Sequence, residues 1–318
     1  MKTKPPVAKP GDIVLLFELL PYDYEKDLPL PLGPGVCLDN TPLSLLDSAE
    51  KGLANYLLPG YSLPGTTINH CCLRCFPDPV LEVHPSENLL FLALLCLRLH
   101  CPLQIVVRGQ FHLGEVNDPI QETSLHLLSS PWSINDTRYY TSSDLEVSSS
   151  IMERLVAVQQ PKFNRLYAGL IFFGQVTLGL SQSFQLSYLG LFAALEALFV
   201  PLNKKGVTIA KRASKFLSCF DFPEPIDAWL KDQYINVRSK LAHGIHDATF
   251  DLKLSPGRKQ AFGRLHEITR LVLLGFLSME DESLSKLNNL TGQQLQESLD
   301  SLNPATGVFL TGQKCWSS

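Results

Sequence analysis

Apolar and polar positions follow two regimes along the chain. Up to residue 150 the apolar runs are short and broken by proline: Pro5, Pro6, Pro10, Pro21, Pro29, Pro31, Pro34 and Pro42 each limit helix. Within this half, residues 11–20 read as a short buried strand. Leu45, Ala49, Leu53 and Leu57 fall four apart and predict a helix over 43–58. Ser86 is a natural N-cap for a helix running through Leu99, and Pro102 enforces its end. Ile105, Val106 and Val107 favour a strand over 104–109. Residues 119–150, rich in Ser, Thr and Asp, read as loops with one strand near 138–141.

From 151 to 280 the periodicity becomes helical, with turn residues between the periodic stretches. Five helices are predicted, at about 162–180, 184–200, 206–220, 225–243 and 256–278. Pro161 precedes the first and Pro201 stops the second. Ile209, Ala213, Phe216, Leu217 and Phe220 line one side of the third helix. Ile226, Leu230, Tyr234, Val237 and Leu241 line the fourth, and Gly244 is a natural residue to follow it. Short connections between long helices predict an antiparallel bundle. The expected fold is an α+β half over 1–150, an all-α antiparallel helical bundle over 151–290 and a C-terminal tail over 291–318, with no pattern in 303–318.

Composition adds exclusions. With 45% apolar residues the chain has enough surface to bury, so it is not disordered. A spanning helix needs about 18–20 apolar residues. The apolar runs at 89–97, 166–180 and 189–202 are interrupted or ended by Arg98, Gln175 and Glu196, so no membrane partner is expected. Lys2, Lys4 and Lys9 precede an apolar stretch, but Glu18 interrupts it and no small-residue cleavage site follows. Eight cysteines, with Cys71 and Cys72 adjacent, do not make a disulfide framework, and a cytoplasmic setting is expected.

Charge singles out one region. The chain carries −4, which excludes a uniformly basic nucleic-acid coat. Residues 201–246, however, hold eight Lys/Arg against four Asp/Glu, a local +4 that leaves the remainder at −8. Three features stand together here. Glu196 sits in an otherwise apolar helix. The third helix is basic, with Lys204, Lys205, Lys211, Arg212 and Lys215. The fourth ends in Tyr234-Ile-Asn-Val-Arg238-Ser239-Lys240-Leu-Ala-His243-Gly244.

The runs Leu195–Phe199, Lys211–Leu217 and Tyr234–Gly244 resemble the HEPN superfamily, and its ApeA-like branch in particular, over roughly residues 155–280. The resemblance implies an all-α bundle that usually dimerises. It also implies metal-independent ribonuclease activity, in a defence or toxin role, with Arg238 and His243 as the catalytic pair. Glu196, Tyr234, Ser239 and Arg212 are the candidate supporting residues. Lys204, Lys205, Lys211, Lys215 and Lys240 are the candidate RNA contacts. Active members often carry Asn, His or Asp after the arginine, where this chain has Ser239.

The residue chemistry suits such a pair. A histidine can give and take protons near neutrality, and an arginine can hold two phosphate oxygens with its planar fork. Five residues apart, Arg238 and His243 lie about 140° round an ideal helix. They converge only if the last turn is distorted or a second subunit completes the site. One histidine per chain also leaves the acid or the base unfilled. Both points favour a composite site on a two-fold axis.

Plainer readings stand beside this one. Arg238 or Arg212 could simply neutralise Glu196, since a carboxylate in so apolar a helix needs a partner. His243 could serve as a cation at a helix C-terminus, His246 as an exposed loop residue and the basic helix as a solvated face. The bundle would then be a non-catalytic dimerising module and the first half a sensor.

A second cluster is Cys72-x2-Cys75 with Cys96-x3-His100, near His70, Cys71, His84 and Cys101. Thiolate and imidazole ligands suit zinc. Only one CxxC is present and Cys96 lies in an apolar run, so no metal and no cofactor are expected.

Overall fold

In a computed structural model the described residues are 5–19, 28–42, 71–78, 84–101, 105–114, 121–124, 140–177, 184–200, 203–220, 222, 226–243, 256–302 and 308–310. The chain divides into two compact units, Met1–Glu153 and Arg154–Ser318. The expected helix over 43–58, His70, Gly244 and His246 lie outside the described residues.

The first unit is built on a six-stranded antiparallel sheet: β1 (Ile13–Leu19), β2 (Leu30–Gly33), β3 (Val36–Asn40), β4 (Cys71–Cys75), β5 (Val106–His112) and β6 (Gln121–Ser124), in the order β2-β3-β4-β1-β5-β6. β1 sits inside the sheet because Ile13, Val14, Leu15, Leu16 and Phe17 are all buried, so both of its faces are covered. Helix α1 (Glu87–His100) contacts β3 and β4. Its N-cap is the expected one, with Ser86 Oγ accepting from the Asn88 amide at 3.1 Å.

Two strands hid behind their prolines. Pro34–Gly35 forms the β2–β3 turn, with Gly35 at φ 63°, a left-handed position that glycine adopts without strain. β5 also continues beyond the expected end at Gly109, because Phe111 and His112 still pair with Val14 and Ile13.

Among the described residues of 119–150, 121–124 and 142–150 are not the loops expected. They contain β6 and the start of α2 (Ser142–Ala157), while Tyr140 makes an isolated bridge and 138–139 lie outside the described residues. The helix starts in a reciprocal cap: Thr141 Oγ1 accepts from the Asp144 amide at 3.2 Å, and Asp144 Oδ2 accepts from the Thr141 amide at 2.9 Å. Its buried side includes Leu145, Ser148, Ser149, Met152 and Leu155. Serines hold two of those positions, so hydropathy concealed the helical period. Thr141→Ala is expected to lower unfolding free energy by about 1 kcal/mol, read from a shift in urea midpoint at constant slope.

The second unit is helical. It comprises a 3-10 turn at Pro161–Phe163, then α3 (Asn164–Thr177), α4 (Phe184–Phe199), α5 (Lys205–Ser218), α6 (Asp227–Gln233), a π-helical turn (Tyr234–Arg238), α7 (Ser239–Ala242) and α8 (Pro256–Leu277). α9 (Asp281–Asn289) and α10 (Gly292–Asp300) follow. Phe199, Phe216 and Phe276 form an aromatic core, with Phe216 and Phe276 stacked at 4.4 Å between centroids. No helix among the described residues is long and apolar enough to cross a membrane.

Two corrections concern this half. The fourth helix is not continuous α-helix but contains the π turn. The segment from 291, expected as a tail, begins with α10, which buries Leu295 and Leu299 and contacts α5. A nine-residue helix with only two buried leucines gives a weak periodic signal.

Candidate functional site

The features singled out in the sequence meet where α4, the start of α5 and the π turn come together. Glu196, on α4, is the hub. Its Oε1 accepts from Arg238 Nη2 at 2.7 Å and from the Tyr234 hydroxyl at 3.0 Å, and Lys205 Nζ lies 3.9 Å from Oε2. The Glu196 and Arg238 side chains are 20% and 24% exposed. The acid therefore has its expected cationic partner, yet neither group is sealed from solvent. Tyr188 adds a second tie between α4 and this segment, donating from its hydroxyl to Gln233 Oε1 at 2.6 Å.

Tyr234 organises the cluster. Its ring meets Phe192 edge-on at 5.2 Å between centroids and carries the Arg238 guanidinium 5.0 Å from its own centroid. Burial and the neighbouring Glu196 carboxylate push its phenol up to about 12, against a smaller opposing effect of Arg238. The hydroxyl is therefore a fixed donor to Glu196.

Gly206, in the first turn of α5, lies directly on this ring: a Cβ there would stand 2.8 Å from Tyr234 Cδ1. The ring is pinned by Glu196 and Phe192 and cannot easily yield. Gly206→Ala is therefore expected to destabilise the unit by about 1–2 kcal/mol, despite the better helix propensity of alanine. A stabilised Gly206→Ala protein in thermal unfolding would contradict this packing.

The π turn carries the arginine. The Ser239 amide bonds back five residues to the Tyr234 carbonyl, and Ser239 Oγ donates to the same oxygen at 3.1 Å. The Ser239 hydroxyl is thus committed to the backbone. Arg238 Nε is buried and makes no hydrogen bond among the described residues. His243 is the exposed C-cap of α7, at φ −94° and ψ 6°, with its amide donating to the Ser239 carbonyl at 3.1 Å. The helix is distorted at the turn ending in Arg238, and the imidazole is carried by the residue at which the helix ends.

Arg212 is not part of this cluster. It is buried on α5, where it donates to the carbonyls of Phe199, Val200 and Gly292 and, at 3.4 Å, to Gln296 Oε1. It thereby caps the C-terminus of α4, where a cation is favoured, and ties α10 to it. Burial lowers its pKa from the usual arginine value. Lys204, Lys205 and Lys211 are exposed, and Lys215 and Lys240 are half-buried. Lys211 and Lys215 are one helical turn apart on α5.

The CxxC is not a chelating pair. In the unbroken register of β4, Cys72 and Cys75 are three residues apart and face opposite sides of the sheet. Cys72 packs with Val14, Leu16 and Phe111, whereas Cys75 Sγ accepts from the Ser86 amide at 3.3 Å. Cys96 is fully buried and donates to the Ala93 carbonyl at 3.0 Å. Burial pushes the Cys75 thiol up to about 11 and those of Cys72 and Cys96 well above their ordinary value. His84 is exposed.

No protein-family model, no curated protein and no solved structure matches this chain.

Proposed function

We propose that the helical unit is an RNA-directed, HEPN-like module and that Arg238 and His243 carry out metal-independent cleavage of single-stranded RNA. The observation that carries this reading is the state of Arg238. Glu196 and Tyr234 orient its guanidinium on a π turn, a distortion that often marks functional sites, and leave it partly open to solvent. His243 is exposed five residues on, and the lysines of α5 add positive potential on the same unit.

In this reading Arg238 holds the scissile phosphate and stabilises charge developing on its oxygens. His243 takes the 2′-hydroxyl proton. The oxygen then attacks phosphorus, the 5′-oxygen leaves with a proton, and a 2′,3′-cyclic phosphate remains. One imidazole per chain supplies one of the two proton transfers, so a second copy completes the site.

The test incubates the full chain with a panel of single-stranded RNAs in EDTA and analyses the new ends. Cleavage with cyclic phosphate ends, weakening as salt rises, is expected. A wild-type protein inert across the panel overturns the ribonuclease reading. The Glu196–Arg238 pair then favours the second reading, a non-catalytic dimerising module in which that pair serves the fold.

A further inference from the structure

Within the first unit, three side chains converge, of which the sequence spacing groups only His100 and Cys101. His100 is the last residue of α1, Cys101 is its C-cap and Asp144 lies in the first turn of α2. His100 Nε2 is 2.9 Å from Asp144 Oδ1, and Cys101 Sγ is 3.6 Å from the same oxygen. One donor atom from each residue lies within 4.8 Å of the others. We propose that His100, Cys101 and Asp144 bind zinc, or a divalent cation of similar softness, and that the ion clamps the C-terminus of α1 to the N-terminus of α2.

The donor set and its spacing carry the proposal. Zinc bonds of about 2.0–2.3 Å place neighbouring ligand atoms about 3.3–3.7 Å apart in a tetrahedron. Of the separations to Asp144 Oδ1, 2.9 Å lies below that range and 3.6 Å within it. The imidazole and thiol, within 4.8 Å of each other, close by up to about 1 Å when the ion binds. One sulfur, one nitrogen and one oxygen suit zinc or cobalt, whereas magnesium and calcium select oxygen alone.

The surroundings hold the ligands in place. Asp144 Oδ2 is taken by the Thr141 amide at 2.9 Å and the Thr141 hydroxyl at 2.8 Å, which turns Oδ1 toward His100 and Cys101. The Cys101 backbone is fixed at both ends: its amide donates to the Leu97 carbonyl at 2.9 Å, and its carbonyl accepts from the Tyr140 hydroxyl at 2.9 Å. Such outer contacts orient ligands and raise affinity. The side chains of His100 and Asp144 are only 10% and 14% exposed, and Cys101 is buried.

Charge balances as well. The ion displaces the thiol proton and any proton on Nε2, and these protons leave to solvent. Thiolate and carboxylate then neutralise the two positive charges, with the imidazole neutral. The end of α1 is also the negative end of its dipole, which favours a cation. Three protein ligands leave the fourth position to water.

The test strips the purified full chain with a chelator and titrates it with Co²⁺. A near-ultraviolet thiolate-to-cobalt band saturating at one equivalent, and bleached by Zn²⁺, is expected. Cys101→Ser should abolish the band and weaken zinc binding at least about tenfold. Asp144→Asn keeps an oxygen for the Thr141 cap and should weaken binding by a similar factor while the band persists. The double variant Cys72→Ser, Cys75→Ser should bind as the wild type does. A wild-type protein without the band, or a band that survives Cys101→Ser, overturns the proposal. These spectra are independent of whether the helical unit cleaves RNA.

Discussion

His243→Ala is expected to slow RNA cleavage by about 10²–10⁴-fold, the usual worth of a positioned proton-transfer group. RNA affinity should stay nearly unchanged. The imidazole is exposed and has no ion pair or side-chain hydrogen bond among the described residues, so its loss should move stability by less than about 0.5 kcal/mol. Single-turnover cleavage and filter binding on the same preparation separate the two effects. Arg238→Ala should lower both, because in the proposed site the guanidinium would contact the phosphate in the ground state as well as the charge that develops later. If both variants cleave at the wild-type rate, the pair is not catalytic.

The second large effect concerns the fold. Glu196→Ala removes the acceptor shared by Arg238 and Tyr234 and leaves both donors without it at a half-buried site. Breaking a fully buried pair from one side costs about 3–5 kcal/mol. With the two side chains 20% and 24% exposed, water recovers part of that, and about 2–3 kcal/mol is expected. Glu196→Gln keeps an oxygen for the Tyr234 hydroxyl and should lose less. Urea unfolding monitored by circular dichroism measures both. A Glu196→Ala protein within about 0.5 kcal/mol of wild type would show that the cluster contributes little to the fold.

How legible this molecule was depended on which physical signal each element used. α4, α5 and α8 were plain because burial on one face wrote a helical period into the sequence. Glu196 announced a cationic partner because a carboxylate among Leu191, Phe192, Ala194, Leu195, Leu198 and Phe199 needs one. Choosing between Arg212 and Arg238 required the packing: Arg212 is consumed by carbonyls at the end of α4, while the π turn brings Arg238 to the acid.

α2 was missed because its buried face includes serines, although Thr141 and Asp144 already spelled its N-terminal cap. The β2–β3 hairpin is not legible because Pro34 signals only a limit to helix, while the hairpin also depends on Gly35 taking a left-handed turn position. The metal-binding triad was out of reach for a local reading. Asp144 is 43 residues from Cys101, and only the approach of two helix ends joins them.

The composite site is the central claim, and mixed assembly tests it most directly. Wild-type chains co-assembled with a threefold excess of His243→Ala chains would leave about a quarter of the wild-type chains paired with one another, if pairing is random. When two imidazoles from two chains are required, cleavage per wild-type chain should fall to about that fraction. Cleavage that stays proportional to the wild-type chains present, whatever the excess of variant, would contradict a shared site and place the whole reaction within one subunit.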